Sequence, residues 1–143
     1  MESEQQKAID CHLKELAHTM AEAINSRDSS FRSPAWSHVS SDFVAEPGFS
    51  EWPRRTTSLA EFLSRFIRHT EAHPEYSMRL TDVSTRVNET TGRAYVWVSL
   101  DAMGLPPGTS RPNVGTLDFM FGGHGWICVK WQCFPGHFVD VGL

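Results

Sequence analysis

The spacing of apolar residues in this chain changes once, at Tyr76, and that change limits what it can fold into. Before Tyr76 they recur every three to four positions; after it they recur at every second position. The first spacing puts them on one face of a helix, the second on one face of a strand. Helices first and strands second is the α+β arrangement, with the helices packed on one face of the sheet.

In the first half, residues 5 to about 27 carry Ile9, Leu13, Leu16, Met20 and Ile24 on one helical stripe. Ser33 followed by Pro34 predicts the start of a short helix reaching about residue 41. Phe43-Val44-Ala45-Glu46 reads as a brief strand closed by Pro47-Gly48, and 48–57 as loop. Ser58 and Glu61 have the spacing of a capping box, in which each side chain satisfies an orphan backbone donor. Leu59, Phe62, Leu63, Phe66, Ile67 and Thr70 follow on one face, and Pro74 stops the helix. In the second half, strands are predicted at about 77–88, 93–103, 113–121 and 125–134. The turn-forming stretches 88–92, 104–112 and 122–125 link them into an antiparallel meander. No linker or repeat interrupts the 143 residues, which read as a single domain over 1–143.

Charge narrows the partners. Thirteen basic residues against 17 acidic ones give a net charge of −4 without a basic run, so neither nucleic acid nor an anionic membrane surface is expected. No stretch approaches the ~20 apolar residues of a membrane span. The opening residues are acidic and polar, unlike a secretory signal, and Cys11, Cys128 and Cys133 form no CxxC. A reducing, cytoplasmic location is therefore expected. Strand 93–103 is apolar on both faces, with Ala94, Val96, Val98 and Leu100 on one and Tyr95, Trp97 and Met103 on the other. Helices cover one face, and a second copy of the chain is expected on the other, giving a homodimer. A third layer made by loops and tail is the alternative.

Four segments carry a family resemblance: Ala23-Ile24-Asn25-Ser26-Arg27-Asp28, Ser41-Asp42-Phe43-Val44-Ala45-Glu46-Pro47, the helix capped by Ser58, and Gly115-Thr116-Leu117-Asp118-Phe119. In this order they resemble the nuclear-transport-factor-2-like fold over about residues 6–136. Within it the chain is similar to the SnoaL-like branch of polyketide cyclases, ketosteroid isomerases and fungal isomerases of polyketide and meroterpenoid pathways. The resemblance implies a cone, with N-terminal helices on a curved, mostly antiparallel sheet. It also implies a cofactor-independent isomerase or cyclase. The step would be proton transfer beside a carbonyl, on a hydrophobic polyketide-type intermediate of secondary metabolism. A non-catalytic dimeric binding module and a dehydratase are the alternatives on the same fold.

By this resemblance Glu46, just before Pro47, stands where the branch has its base. Asp118 stands where it has an acid that hydrogen-bonds the enolate oxygen, and Met20 where it has an oxyanion-hole Tyr. The chemistry suits carboxyls in an apolar cone, where desolvation lifts a base toward neutrality and keeps an acid protonated. His73, at the end of the capped helix, is a reserve acid/base, with His69 one turn earlier. No third ligand accompanies this pair, so no metal is expected, and no nucleotide or dinucleotide motif is present. Met20, Trp36, Phe66 and Trp131 are expected to wall the pocket.

A tight turn at 122–125 would set Phe121 opposite Trp126, and Asp118, Thr116, Val129 and Trp131 on one face. Across 104–112, one parity brings Trp97, Ser99 and Asp101 beside Asp118, the other Val96, Val98 and Leu100. The family resemblance favours the second. Arg54, Arg55 and Arg111 are candidate mouth residues for a carboxylate or phenolate, and His38 is expected at the surface.

Overall fold

The computed structural model describes residues 3–46, 55–135 and 139–140. Helix α1 (Glu4–Asn25) opens with a reciprocal cap. Ser3 Oγ accepts from the Gln6 N–H at 3.1 Å, and Gln6 Oε1 accepts from the Ser3 N–H at 3.2 Å. It closes with Arg27 in the left-handed region at φ 62°. There the Asp28 N–H reaches Ala23 O and the Arg27 N–H reaches Ile24 O, the pairing of a Schellman cap.

A non-glycine residue in that conformation costs about 1 kcal/mol. The Arg27 guanidinium offsets the cost by donating to the carbonyls of Ile24, Pro74 and Tyr76. Asn25 fastens the neighbouring strand, donating to Met78 O at 2.7 Å and accepting from the Met78 N–H at 2.8 Å. Asp28 accepts from the Ser33 hydroxyl, and its carbonyl accepts from the Trp36 indole at 2.8 Å. The segment 23–28, part of the family resemblance, is thus a set of staples holding the end of α1 to residues 33–36 and 74–78.

A 3₁₀ turn at Pro34–Trp36 replaces the expected short helix, and β1 (Val39–Glu46) is longer than the brief strand expected. Helix α2 (Leu59–Ala72) has the Ser58 half of the expected capping box, Ser58 Oγ accepting from the Glu61 N–H at 3.1 Å, without the return bond from the Glu61 side chain. Then come β2 (Ser77–Asn88), β3 (Arg93–Met103), β4 (Thr109–Gly122), β5 (Gly125–Pro135) and β6 (Val139–Asp140). Their order across the sheet is β1-β5-β4-β3-β2, antiparallel except for the β1–β5 pair, with β6 beside the start of β4.

Helix α1 lies on β2 and α2 on β1, so the two helices roof opposite margins of one sheet face. The core fills the space between them. Phe62 is its hub, with ring centroids 5.5 Å from Phe43, 5.8 Å from Trp131, and 6.0 Å from both Trp36 and Phe66.

Two registers decide which side chains share that space. Phe121 pairs with Trp126 as expected, but Val129 is an extra residue on β5, where pairing slips between Asp118–Lys130 and Phe119–Cys128. Beyond this bulge Trp131 pairs with Leu117, not on the side of Asp118. Across 104–112, Met103 pairs with Ser110 and Tyr95 with Asp118, which is the parity the resemblance disfavoured. Gly104 sets the bend that fixes it: at φ +80°, a Cβ would stand 2.1 Å from the Glu75 carbonyl oxygen.

Candidate functional site

The inner sheet face is apolar along most of its length. Ala17, Met20, Ala21 and Ile24 of α1 face Met78 and Leu80 of β2, Val98 and Leu100 of β3, Leu117 of β4 and Trp131 of β5. Between them is a cavity of about 30 Å³. That is room for one or two waters, so a ligand must displace side chains to enter. The unbranched Met20 and Met78 are suited to move.

Polar groups gather at the end where β2 begins and β3 finishes. His69, on the buried face of α2, is 5% exposed. Its ring stands edge-on to Tyr76, centroids 5.3 Å apart, and 4.9 Å from the ring of His73. Tyr76, Asn113 and Cys133 are buried at the same end. His69 and Tyr76 touch, while Asn113 of β4 and Cys133 of β5, which pairs with Gly115, sit diagonally on neighbouring strands of the inner face. Burial pushes the Tyr76 hydroxyl well above its ordinary range, so it remains a neutral donor at any physiological pH. Burial also pushes the Cys133 thiol up to about 11, against the lesser opposing influence of Asn113 and the Phe134 backbone, so it is neutral as well. Arg27 fixes this corner by holding the Pro74 and Tyr76 carbonyls.

The two carboxyls assigned by resemblance are elsewhere. Asp118 lies on the outer face, paired with Tyr95 and Lys130; both strand registers put it there, which corrects its expected place in the cone. Burial raises its pKa, opposed by Lys130 and Arg93. Glu46 alternates with the buried Phe43 and Ala45 and so points outward too, 3.6 Å from the Arg55 guanidinium. The two acids are two strands apart on the side away from the helices.

Met20 and Trp131 do line the cavity. Trp36 and Phe66 pack around Phe62, and Trp36 has its indole N–H bound to Asp28 O, so both serve as core struts. His73 is the C-cap of α2 at φ −131° and is half-buried, so the buried imidazole belongs to His69, one turn earlier. His38 is buried instead of exposed, its pKa lowered by burial and then by His12. Arg111 is half-buried on β4 and Arg55 pairs with Glu46, while Arg54 lies outside the described residues.

Tyr76, Asn113 and Cys133 were not anticipated. Asn113 and Cys133 do sit in the alternations Asn113-Gly115-Leu117-Phe119 and Trp131-Cys133, so their facing follows once the bulge is known. Among the described residues no group of three metal-ligating side chains exists and no carboxylate is buried.

No protein-family model matches this sequence, nor does any curated protein sequence. Solved structures do match. An NTF2-like protein of unknown function from Pseudomonas putida superposes with a TM-score of 0.70 at 12% identity, covering 89% of this chain and 86% of that one. Two putative enzymes also superpose. A dehydratase of the NTF2-like family from Streptomyces avermitilis does so at TM-score 0.63 and 19% identity, over 87% of this chain and 94% of its own. A ketosteroid isomerase from Shewanella frigidimarina does so at TM-score 0.66 and 11% identity, over 84% and 92%. The chain has the nuclear-transport-factor-2-like fold, two helices on a curved, mostly antiparallel sheet. Likeness at these identities defines the fold and leaves activity to the site.

Proposed function

We propose that this chain is a cofactor-independent enzyme that relocates a proton beside a carbonyl in a hydrophobic keto or enol compound held in the cone. The observation that carries it is the buried imidazole of His69 standing edge-on to Tyr76, which lies two residues before Met78 of the apolar cavity wall. His69 takes the proton from the carbon next to the carbonyl, and the electron pair of that C–H bond moves onto the carbonyl oxygen. The Tyr76 hydroxyl, neutral by burial, donates a hydrogen bond to the developing enolate. Return of the proton to a different carbon gives a double-bond shift or tautomer; capture of the enolate within the molecule gives a ring. His73 is next in line to exchange the proton with solvent. A polyketide-type intermediate of secondary metabolism, a cytoplasmic location and a homodimer complete the proposal.

Exchange of the α-protons of a cyclic ketone such as 2-tetralone in D₂O, followed by NMR, tests it. Wild type should accelerate exchange over buffer, His69→Gln and Tyr76→Phe should each lower the rate by about 10²-fold or more, and Glu46→Gln should leave it within about twofold, as for a group outside the site. The small apolar cavity favours a second reading, a non-catalytic binding module. A wild type no faster than buffer across ketones that it binds would establish that reading instead.

A further inference from the structure

We propose that the ligand of the cone carries a hydroxyl group, phenolic or enolic, and that its O–H donates to Asn113 Oδ1. This deepens the proposed function by naming a feature of the substrate, and it rests on the cone being the ligand site. Asn113 is 7% exposed, and among the described residues its Oδ1 is buried with no hydrogen-bond partner. It is on the inner face, registered opposite Leu100 of the cavity wall and next but one to Leu117, with Val98 and Trp131 of the same wall packed over the intervening Gly115.

A buried acceptor left unpaired is costly, and a ligand that supplies a donor removes that cost as it binds. A carbonyl or ether oxygen cannot do so, because it only accepts. The cone therefore selects the hydroxylated or enol form over the plain ketone. In the proposed reaction that interaction fixes the end of the ligand remote from the C–H bond that breaks, or holds the enol product.

Phenol and anisole separate the idea from simple hydrophobicity, since anisole is the more apolar and burial alone favours it. The readout is the methyl spectrum of ¹³C-methionine-labelled protein. Met20 and Met78 line the cavity, and the outward-facing Met120 serves as control. Phenol should bind wild type at least about tenfold more tightly than anisole, and Asn113→Leu should abolish or reverse that preference while anisole still binds. Equal binding of the two to wild type, or a preference that survives Asn113→Leu, overturns the proposal and leaves the cone as a ligand site. Failure of both to shift Met20 and Met78 overturns the cone as the ligand site, and this inference with it. The wild-type comparison decides even if the variant does not fold.

Discussion

On the inner face of β3, Ala94, Val96, Val98, Leu100 and Ala102 are closed off by the two helices and their neighbours. On the outer face of the same strand Tyr95 and Trp97 are 41% and 39% exposed, and Val114, Met120 and Phe134 extend the patch across β4 and β5. The inner face of β3 is wholly apolar, while the outer face mixes Tyr95, Trp97 and Met103 with Arg93, Ser99 and Asp101; the faces differ too in what covers them. The inner face gathers Tyr76, Asn113 and Cys133 at one end, with His69 of α2 against Tyr76, as chemistry on a hydrophobic compound requires. The outer face has a carboxylate, Asp118, in the middle of its aromatic patch, between a Tyr and a Lys. An apolar strand therefore says that both faces want covering, and only the register says which acids belong to which face.

The comparison is broken most forcefully at Phe62. It is fully buried and touches four other aromatic rings, so Phe62→Ala should cost about 3–5 kcal/mol of unfolding free energy in a urea titration. Val114→Ala, on the outer face, should cost no more than about 0.5 kcal/mol at concentrations low enough to keep the chain monomeric. A Val114 cost that climbs with protein concentration means that the outer face is covered by another copy. A large cost at every concentration means that it is packed within one chain.

How far the sequence carried depended on whether its signals were local. The period change at Tyr76, the Ser58 cap and the stripe of α1 are all set within a few residues, and each stands where expected, the cap bond included. The staples from Asn25, Arg27 and Asp28 were visible as a segment of the resemblance, but the partners of Asn25 and Arg27 at Met78, Pro74 and Tyr76 are about fifty residues away. The assignment of Asp118 and Glu46 to the cone fell to parity. One extra residue on β5 and the length of the 104–112 turn reversed the facing of Asp118, and neither leaves a mark in residue type. His69 was seen as a companion to His73. That it is the buried one depends on the helix ending at Ala72, which turns His73 aside.

A smaller perturbation asks what covers the outer face. Trp97 and Tyr95 lie side by side, centroids 6.2 Å apart and planes tilted by 42°, near the middle of the sheet, so a guanidinium at Trp97 would be stranded in any symmetric contact across this face. Wild type should sediment as a dimer at micromolar concentration. Trp97→Arg should sediment as a monomer with an unchanged far-UV spectrum, its dimer weakened by about 10²-fold or more, as for loss of a central aromatic anchor. A wild type that is monomeric at every concentration would mean that the outer patch serves something other than a second copy.

The finest test is at Asp118, and its sign separates two accounts of the outer face. Burial raises its pKa while Lys130 and Arg93 pull it down, and burial wins. The folded chain then holds the proton more tightly than the unfolded one. Below the unfolded value both are protonated and Asp118 contributes nothing; above the folded value its ionised form costs stability. Asp118→Asn should therefore be slightly more stable than wild type at neutral pH, by no more than about 0.5 kcal/mol for a half-exposed side chain. The gap should close as pH falls through the folded pKa toward the ordinary Asp range, as followed by thermal melts. A gap of the opposite sign, with wild type losing stability on acidification, would mean that Lys130 and Arg93 dominate and that Asp118 is a surface ion pair. If a second copy covers the face, its desolvation adds to the first, and the gap at neutral pH should widen as protein concentration rises.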